Sequence, residues 1–246
     1  MKPGPVQAIA IEDMPLVHKR DNIADMILEK VDLEDGDVIV IASKIVSKSE
    51  GRLTKASDVK VSTRAKEIAE RNSFDPIHVE LALREAIKIV RDKGVLITET
   101  KTGLVCNFSG VDKSNAPDTE YVLLPNSPDD SASGIRDELT SASGLNLAVI
   151  ISDTHGRPWR RGSINIAIGC AGINAFKFNM GKKDLHGRVL KRSTVCQIDE
   201  IAALAEPLMG QANEKVPVVI VRGYEYSEGE DRASDIIRHR EDDMFR

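Results

Sequence analysis

The distribution of apolar positions divides the chain into short strands and amphipathic helices. Val38 to Ala42 and Leu147 to Ile151 are continuous apolar runs rich in β-branched residues, which predicts strands buried on both faces. Val216 to Val221 predicts a third strand, Tyr121 to Leu124 a fourth, and Ile164 to Gly169 a fifth flanked by glycines. Gly94 to Thr98 and Leu104 to Asn107 form a predicted hairpin around Lys101-Thr102-Gly103.

Helical spacing occupies the intervals. Asp21 or Asn22 caps a helix running to about Val31, with Ile23, Met26 and Ile27 on one face. Residues 62 to 72 predict a short polar helix. Asp75-Pro76 supplies a cap and a first-turn proline, and Val79, Leu83, Ala86, Ile87 and Val90 extend an apolar stripe beyond them. Ser127 to Asp130 opens a helix that ends near Gly144. Residues 196 to 206 predict a helix stopped by Pro207, and 232 to 240 a terminal helix. These elements lack a regular βαβ rhythm. The expected class is therefore α+β, with mixed sheets and flanking helices in a single domain over 1–246, and a second subdomain at about 62–135.

The densest chemistry is Ser152-Asp153-Thr154-His155-Gly156-Arg157-Pro158-Trp159-Arg160-Arg161-Gly162, just after the Leu147 to Ile151 strand. Asp153 and Thr154 at a strand end offer oxygen ligands to a hard divalent metal, and the arginines offer forks to phosphate oxygens. The competing reading is a polar turn with its arginines in surface ion pairs. A second exposed acid, Asp112, follows the strand at 104 to 107. Two carboxylates held together repel unless a cation lies between them, so Asp112 and Asp153 either share a metal or belong to unrelated loops. Ser43, Lys44 and Lys48 follow a buried strand, where a lysine can meet phosphate as a point charge. Met209-Gly210-Gln211-Ala212-Asn213-Glu214 precedes another, with small residues that permit close backbone approach to a ligand. Neither a Gly-x-x-x-x-Gly-Lys-Ser/Thr loop nor a Gly-x-Gly-x-x-Gly turn occurs. Any nucleotide site must be built another way.

Composition narrows the classes. In a chain of 246 residues with a net charge of −5 and 4% aromatics, neither a general nucleic-acid binder nor a base-stacking platform is expected. Three dispersed cysteines and five histidines without i,i+4 pairing argue against a disulfide framework and a zinc site. With no signal-peptide core and no apolar run long enough for a membrane span, a cytoplasmic protein is expected.

The chain resembles the coenzyme F420-0:L-glutamate ligase family along essentially its whole length. The resemblance is carried by Met14-Pro15-Leu16-Val17, Asp35-Gly36-Asp37, Ser43 with Ser47-Lys48-Ser49-Glu50-Gly51, and Gly110-Val111-Asp112-Lys113-Ser114-Asn115. It continues through Leu124-Pro125, Pro128-Asp129, Ile135-Arg136, Ser152-Asp153-Thr154, Gly156-Arg157-Pro158-Trp159-Arg160, Ala167-Ile168-Gly169 and Gly210-Gln211. It implies GTP contacts at Met14, Pro15, Leu16, Val17, Ser43, Lys44, Lys48 and Asn115, and along Met209, Gly210, Gln211, Ala212, Asn213, Glu214, Lys215 and Val216. It implies divalent-metal ligands (Mg²⁺ or Mn²⁺, two ions) at Asp112, Asp153 and Thr154, with Gln211 for the second ion, and an association with K⁺. Lys48, Arg157 and Arg160 would neutralise phosphate charge during catalysis. The implied substrates are GTP, L-glutamate and F420-0, and the implied assembly is an intertwined homodimer. His155 and Ile164-Asn165 depart from the family's usual Phe and Thr-Asp. Two other readings compete: a nucleotide-responsive binding protein, and an amide ligase or phosphotransferase with a different acceptor.

Overall fold

The computed structural model describes residues 4–245. In chain order the elements are β1 (Gln7–Ala10), α1 (Ile23–Leu28), β2 (Val38–Ala42), α2 (Ser43–Ser49), β3 (Leu53–Lys55), α3 (Thr63–Asn72), α4 (Pro76–Glu85), β4 (Ala86–Asp92) and β5 (Leu96–Thr100). There follow β6 (Val105–Asn107), β7 (Glu120–Val122), α5 (Pro128–Ser143), β8 (Ala148–Arg157), β9 (Arg160–Ala171), β10 (Phe176–Phe178), β11 (Thr194–Cys196), α6 (Gln197–Met209) and β12 (Val218–Arg222).

A five-stranded sheet in the order β1-β12-β2-β8-β9 forms the centre. Only β2 and β8 pair in parallel; the other neighbours are antiparallel. The continuous apolar runs are explained by burial on both faces. Ile39, Ile41, Val149, Ile151, Val218 and Ile220 pack towards α1, α2 and α5. The alternate residues Val38, Val40, Ala148, Ile150, Val219 and Val221 pack against α6. Between β3 and β7 the chain builds two further apolar clusters. One forms around α3, α4 and Leu96, the other around Val59, Leu81 and Tyr121. Mixed α+β architecture is thus what the residues produce. Among the described residues no helix is long and apolar enough to cross a membrane.

Four expectations are corrected. The stripe from Val79 does not continue as helix to Val90, because α4 ends at Glu85 and Ala86 begins a strand paired with β5. Ile87, Ile89 and Val90 are β-branched, and cross-strand pairing outweighs their helical spacing; Ile87 is left 60% exposed. Pro207 does not stop α6, which runs to Met209 and ends at Gly210. A proline in the last turn removes one donor without halting the ladder outright. The expected helix over 232 to 240 is replaced by short 3-10 turns at Ala233–Ile236 and Arg240–Asp242. There the buried Asp129 carboxylate takes the N–H groups of Ala233 and Ser234 and fixes a non-α backbone. Lastly, Ser152 to Arg157 is not a turn. β8 continues through it and pairs with β9, and the chain reverses between Arg157 and Arg160.

Candidate functional site

The site begins where the central sheet loses a strand. β2 accompanies β8 as far as Ala42 against Ser152. There β2 passes directly into α2, while β8 runs on with only β9 beside it. Asp153 is therefore not at a strand end; its neighbour's end exposes it. The first residue of α2 fills the place, and Ser43 Oγ donates to Asp153 Oδ1 at 2.6 Å.

One turn of helix gives α2 two working faces. Ser43 and Ser47, spaced i,i+4, are buried against the sheet, whereas Lys44 and Lys48, also i,i+4, stay half-buried beside them. Two cavities meet at this helix. The larger, about 470 Å³, is lined by Met14, Pro15, Leu16, Val17, Ser43, Lys44, Lys48, Asn115 and the whole run from Met209 to Val216. Every residue expected at a nucleotide thus reaches a single cavity, of a size that suits a small-molecule ligand. The smaller, about 200 Å³, is lined by Ser43, Lys44, Ser47, Asn107, Asp112, Leu124, Asp153, Thr154 and Gln211.

Asp112 enters through the loop after β6, locked by a bridge in which its N–H donates to Val122 O at 2.9 Å. Lys44 Nζ lies 2.7 Å from Asp112 Oδ2. The Ser114 N–H donates to Oδ1 at 2.9 Å, and the Ser114 hydroxyl to Oδ2 at 2.8 Å. Burial raises the Asp112 pKa, but the bonds from Lys44 and Ser114 outweigh it and hold the acid below its usual range. Asp153 behaves oppositely. Burial pushes it up to about 6, the Asp112 charge adds to that, and Ser43 and Lys44 oppose it. Burial also lowers the pKa of Lys48, helped by the neighbouring Lys44. Lys48 forms no ion pair among the described residues. The surroundings thus disfavour a negative charge on one wall and a positive charge on the other. A cation beside Asp153 and an anion beside Lys48 would relieve both.

The third part is a polar ring across the hairpin. Thr154 faces Asn165 in the β8–β9 register, and Thr154 Oγ1 lies 3.1 Å from Asn165 Oδ1 and 3.0 Å from Gln211 Oε1. Its single proton serves one of them at a time. Gln211 Nε2 donates to Glu206 Oε1 at 2.8 Å, which ties the ring to the end of α6. Gly210 permits this turn: at φ +66°, a Cβ there would sit 2.1 Å from the Glu214 carboxyl carbon. Asn115 Nδ2 donates to Ala212 O at 3.2 Å and joins the two loops that border the larger cavity.

Asp112, Asp153, Thr154 and Gln211 form an all-oxygen donor set, which fits a hard divalent cation. Among the described residues no group of three His, Cys, Asp or Glu side chains gathers, so the hydroxyl, the amide and ligand oxygens would have to complete any coordination sphere. Arg157 and Arg160 are elsewhere. They face each other at the reversal of the hairpin, and Arg157 donates to Gly162 O at 3.2 Å and Arg161 O at 2.9 Å. Neither lines the two cavities. Glu206, which holds Gln211, carries no local signal, whereas Ser47 falls in a Ser-Lys pair that repeats 43–44 at 47–48.

Comparison with known proteins bears directly on this geometry. The family model described as F420-0:Gamma-glutamyl ligase matches residues 12–223. The coenzyme F420:L-glutamate ligase of Methanothermobacter thermautotrophicus is 43% identical over 249 residues, covering 98% of this chain and 99% of the relative. That of Methanopyrus kandleri is 43% identical over 251 residues, covering 99% and 100%. That of Methanocaldococcus jannaschii is 44% identical over 226 residues, covering 92% and 90%. With its cavities, its paired acids and this similarity along its length, the chain belongs to the F420-0:gamma-glutamyl ligase family.

Proposed function

We propose that the protein is a GTP-dependent ligase that joins L-glutamate to coenzyme F420-0 in coenzyme F420 biosynthesis, then adds a second glutamate by γ-linkage. The observation that carries this reading is the wall shared by the two cavities. Ser43, Lys44, Asp153, Thr154 and Gln211 line both. A nucleotide in the larger cavity would present its terminal phosphate to the acids of the smaller one, where an acceptor carboxylate could meet it.

The reaction needs charge neutralisation more than a protein nucleophile. An oxygen of the F420-0 carboxylate attacks the γ-phosphorus, the bond to the bridging oxygen breaks, and GDP leaves. The glutamate amine then attacks the acyl carbon, phosphate departs with the carbon–oxygen electron pair, and the amine proton passes to solvent. Lys48 holds phosphate charge. Lys44, already bonded to Asp112, keeps that acid ionised and in place. A divalent ion held by Asp112, Asp153 and Thr154, with Gln211 beside them, would supply Lewis-acid neutralisation of the phosphate oxygens.

An intertwined homodimer belongs to the same proposal. The hairpin of β8 and β9 carries Trp159, 74% exposed, and the segment between β10 and β11 carries Leu185, fully exposed at 100%. Apolar side chains so displayed suit a partner surface. In such a dimer the hairpin of one copy could carry Arg157 and Arg160 to the other's phosphate site. The test is mass spectrometry of F420-0 incubated with L-glutamate, GTP and Mn²⁺. Products heavier by one and then two glutamyl residues, absent without GTP, support the ligase. GTP consumption with F420-0 unchanged in mass refutes it.

A further inference from the structure

Ser47 is the one wall residue of the acidic cavity whose hydroxyl has nothing to do. It is 1% exposed, and its Oγ has no hydrogen-bond partner among the described residues. Its neighbours are committed: Ser43 donates to Asp153 and Lys44 is bonded to Asp112. A helical serine commonly donates to the carbonyl four residues back, yet this one makes no such bond. A sealed hydroxyl without a partner costs free energy in the folded protein, and one that stands at a cavity wall calls for a partner the cavity could bring.

Its position says where. Ser43 and Lys44 line both cavities, but Ser47 lines only the acidic one. It therefore addresses the side of the acids turned away from the nucleotide cavity. Leu124 lines the acidic cavity with Ser47 and also lines a further cavity of about 290 Å³, walled among others by Arg52, Pro125, Ile168 and Ile237. A ligand entering from there would bring its terminal group past Leu124 to Ser47 before meeting the phosphate.

Building on the ligase reading above, we infer that Ser47 is a catalytic residue whose hydroxyl donates a hydrogen bond to the reacting carboxylate of the acceptor. A rotation about χ1 presents the proton to a carboxylate oxygen in the acidic cavity. That orients the other oxygen towards the γ-phosphorus, and no bond to Ser47 forms or breaks.

Ser47→Ala tests this, because it deletes the hydroxyl and little else. A bond from a neutral donor to a charged oxygen predicts a loss of about 10- to 100-fold in kcat/KM for F420-0. The KM for GTP and the half-saturating Mn²⁺ should stay within twofold of wild type. The melting temperature should hold or rise, since the variant removes an unsatisfied polar atom. Calorimetric titration of F420-0 into protein loaded with GDP and Mn²⁺ should show the same 10- to 100-fold weakening. That readout keeps two failures apart. If wild type binds F420-0 but forms no glutamyl product, the ligase reading fails, while the affinity ratio still decides whether Ser47 bonds the F420-0 carboxylate. Equal F420-0 affinity and kcat/KM in both proteins overturns the assignment. So does a shifted Mn²⁺ requirement with unchanged F420-0 affinity, which would make Ser47 a metal ligand. A lowered melting temperature with parallel losses in every parameter would make it structural and overturn the assignment as well.

Discussion

Ser43 Oγ donates to Asp153 Oδ1 at 2.6 Å, and the bond joins the first residue of α2 to the middle of β8. It exists because one strand stops while its parallel neighbour continues. Asp153 is thereby left at the cavity wall beside Ser43, near a second acid, with its pKa raised by burial to about 6. Such a carboxylate is costly to hold ionised, and a bound cation is the natural compensation. Asp153→Asn should cut turnover at least about 100-fold, as losses around metal sites do. Its melting temperature should not fall, because an amide escapes the cost of burying charge. Steady-state kinetics at ordinary Mn²⁺ concentration, beside a thermal melt, checks both. Wild-type turnover would remove Asp153 from the metal site.

Lys48 faces the larger cavity without an ion-pair partner among the described residues, and its pKa is lowered by burial and by Lys44. An anion there gains a charge-assisted bond and restores the lysine's preference for its charged form. Lys48→Ala should weaken GTP binding by about 1.5–3 kcal/mol. Calorimetric affinity equal to wild type would make Lys48 a bystander.

Asp75 links stability to pH. It caps α4 through the Ile77 N–H, and it also accepts from Lys113 Nζ at 2.8 Å and from the Tyr121 hydroxyl. Burial raises its pKa, but the bonds from Lys113, Tyr121 and Ile77 outweigh burial and bring it from 3.8 to about 2. Because the folded value is the lower one, the stabilisation is complete above about pH 5 and is lost as pH falls through about 2. Discounted for its partial exposure, Asp75→Asn should cost about 1 kcal/mol at neutral pH and only a small part of that at pH 2. Urea unfolding at the two pH values measures the difference, and an equal cost at both would deny the linkage.

The exposed Trp159 packs edge-to-face on Phe245 at 5.4 Å. The proposed dimer should bury this region, so light scattering should give twice the chain mass at micromolar concentration. A mass of 26.9 kDa would mean a monomer and contradict it.

The strands of the central sheet were legible because burial on both faces leaves continuous apolar runs such as Val38 to Ile41. Helix starts were legible where caps act locally, as at Asp75-Pro76. Local signals failed where distant partners decide. Ala86 to Asp92 becomes a strand only because Leu96 to Thr100 lies opposite, and the tail after Arg232 is shaped by Asp129. The acidic site was legible in part. Asp112 and Asp153 could be named as acids after strands, but their meeting depends on β2 ending at Ala42 while β8 goes on. Asn165 stands in a polar ring with Thr154 and Gln211. That the Ser47 hydroxyl would be left without a partner was illegible, because an unsatisfied hydroxyl is a property of packing and not of residue type.

The central claim is that GTP activates the carboxylate of F420-0 on the substrate itself, a step that the lysines and acids lining the cavities serve by charge neutralisation. F420-0 carrying a heavy-oxygen label in that carboxylate, incubated with GTP, Mn²⁺ and L-glutamate, tests it most directly. The account predicts that one labelled oxygen per turnover appears in the released phosphate. Phosphate that carries oxygen from water instead, with the label retained in the product or in unreacted F420-0, would contradict it.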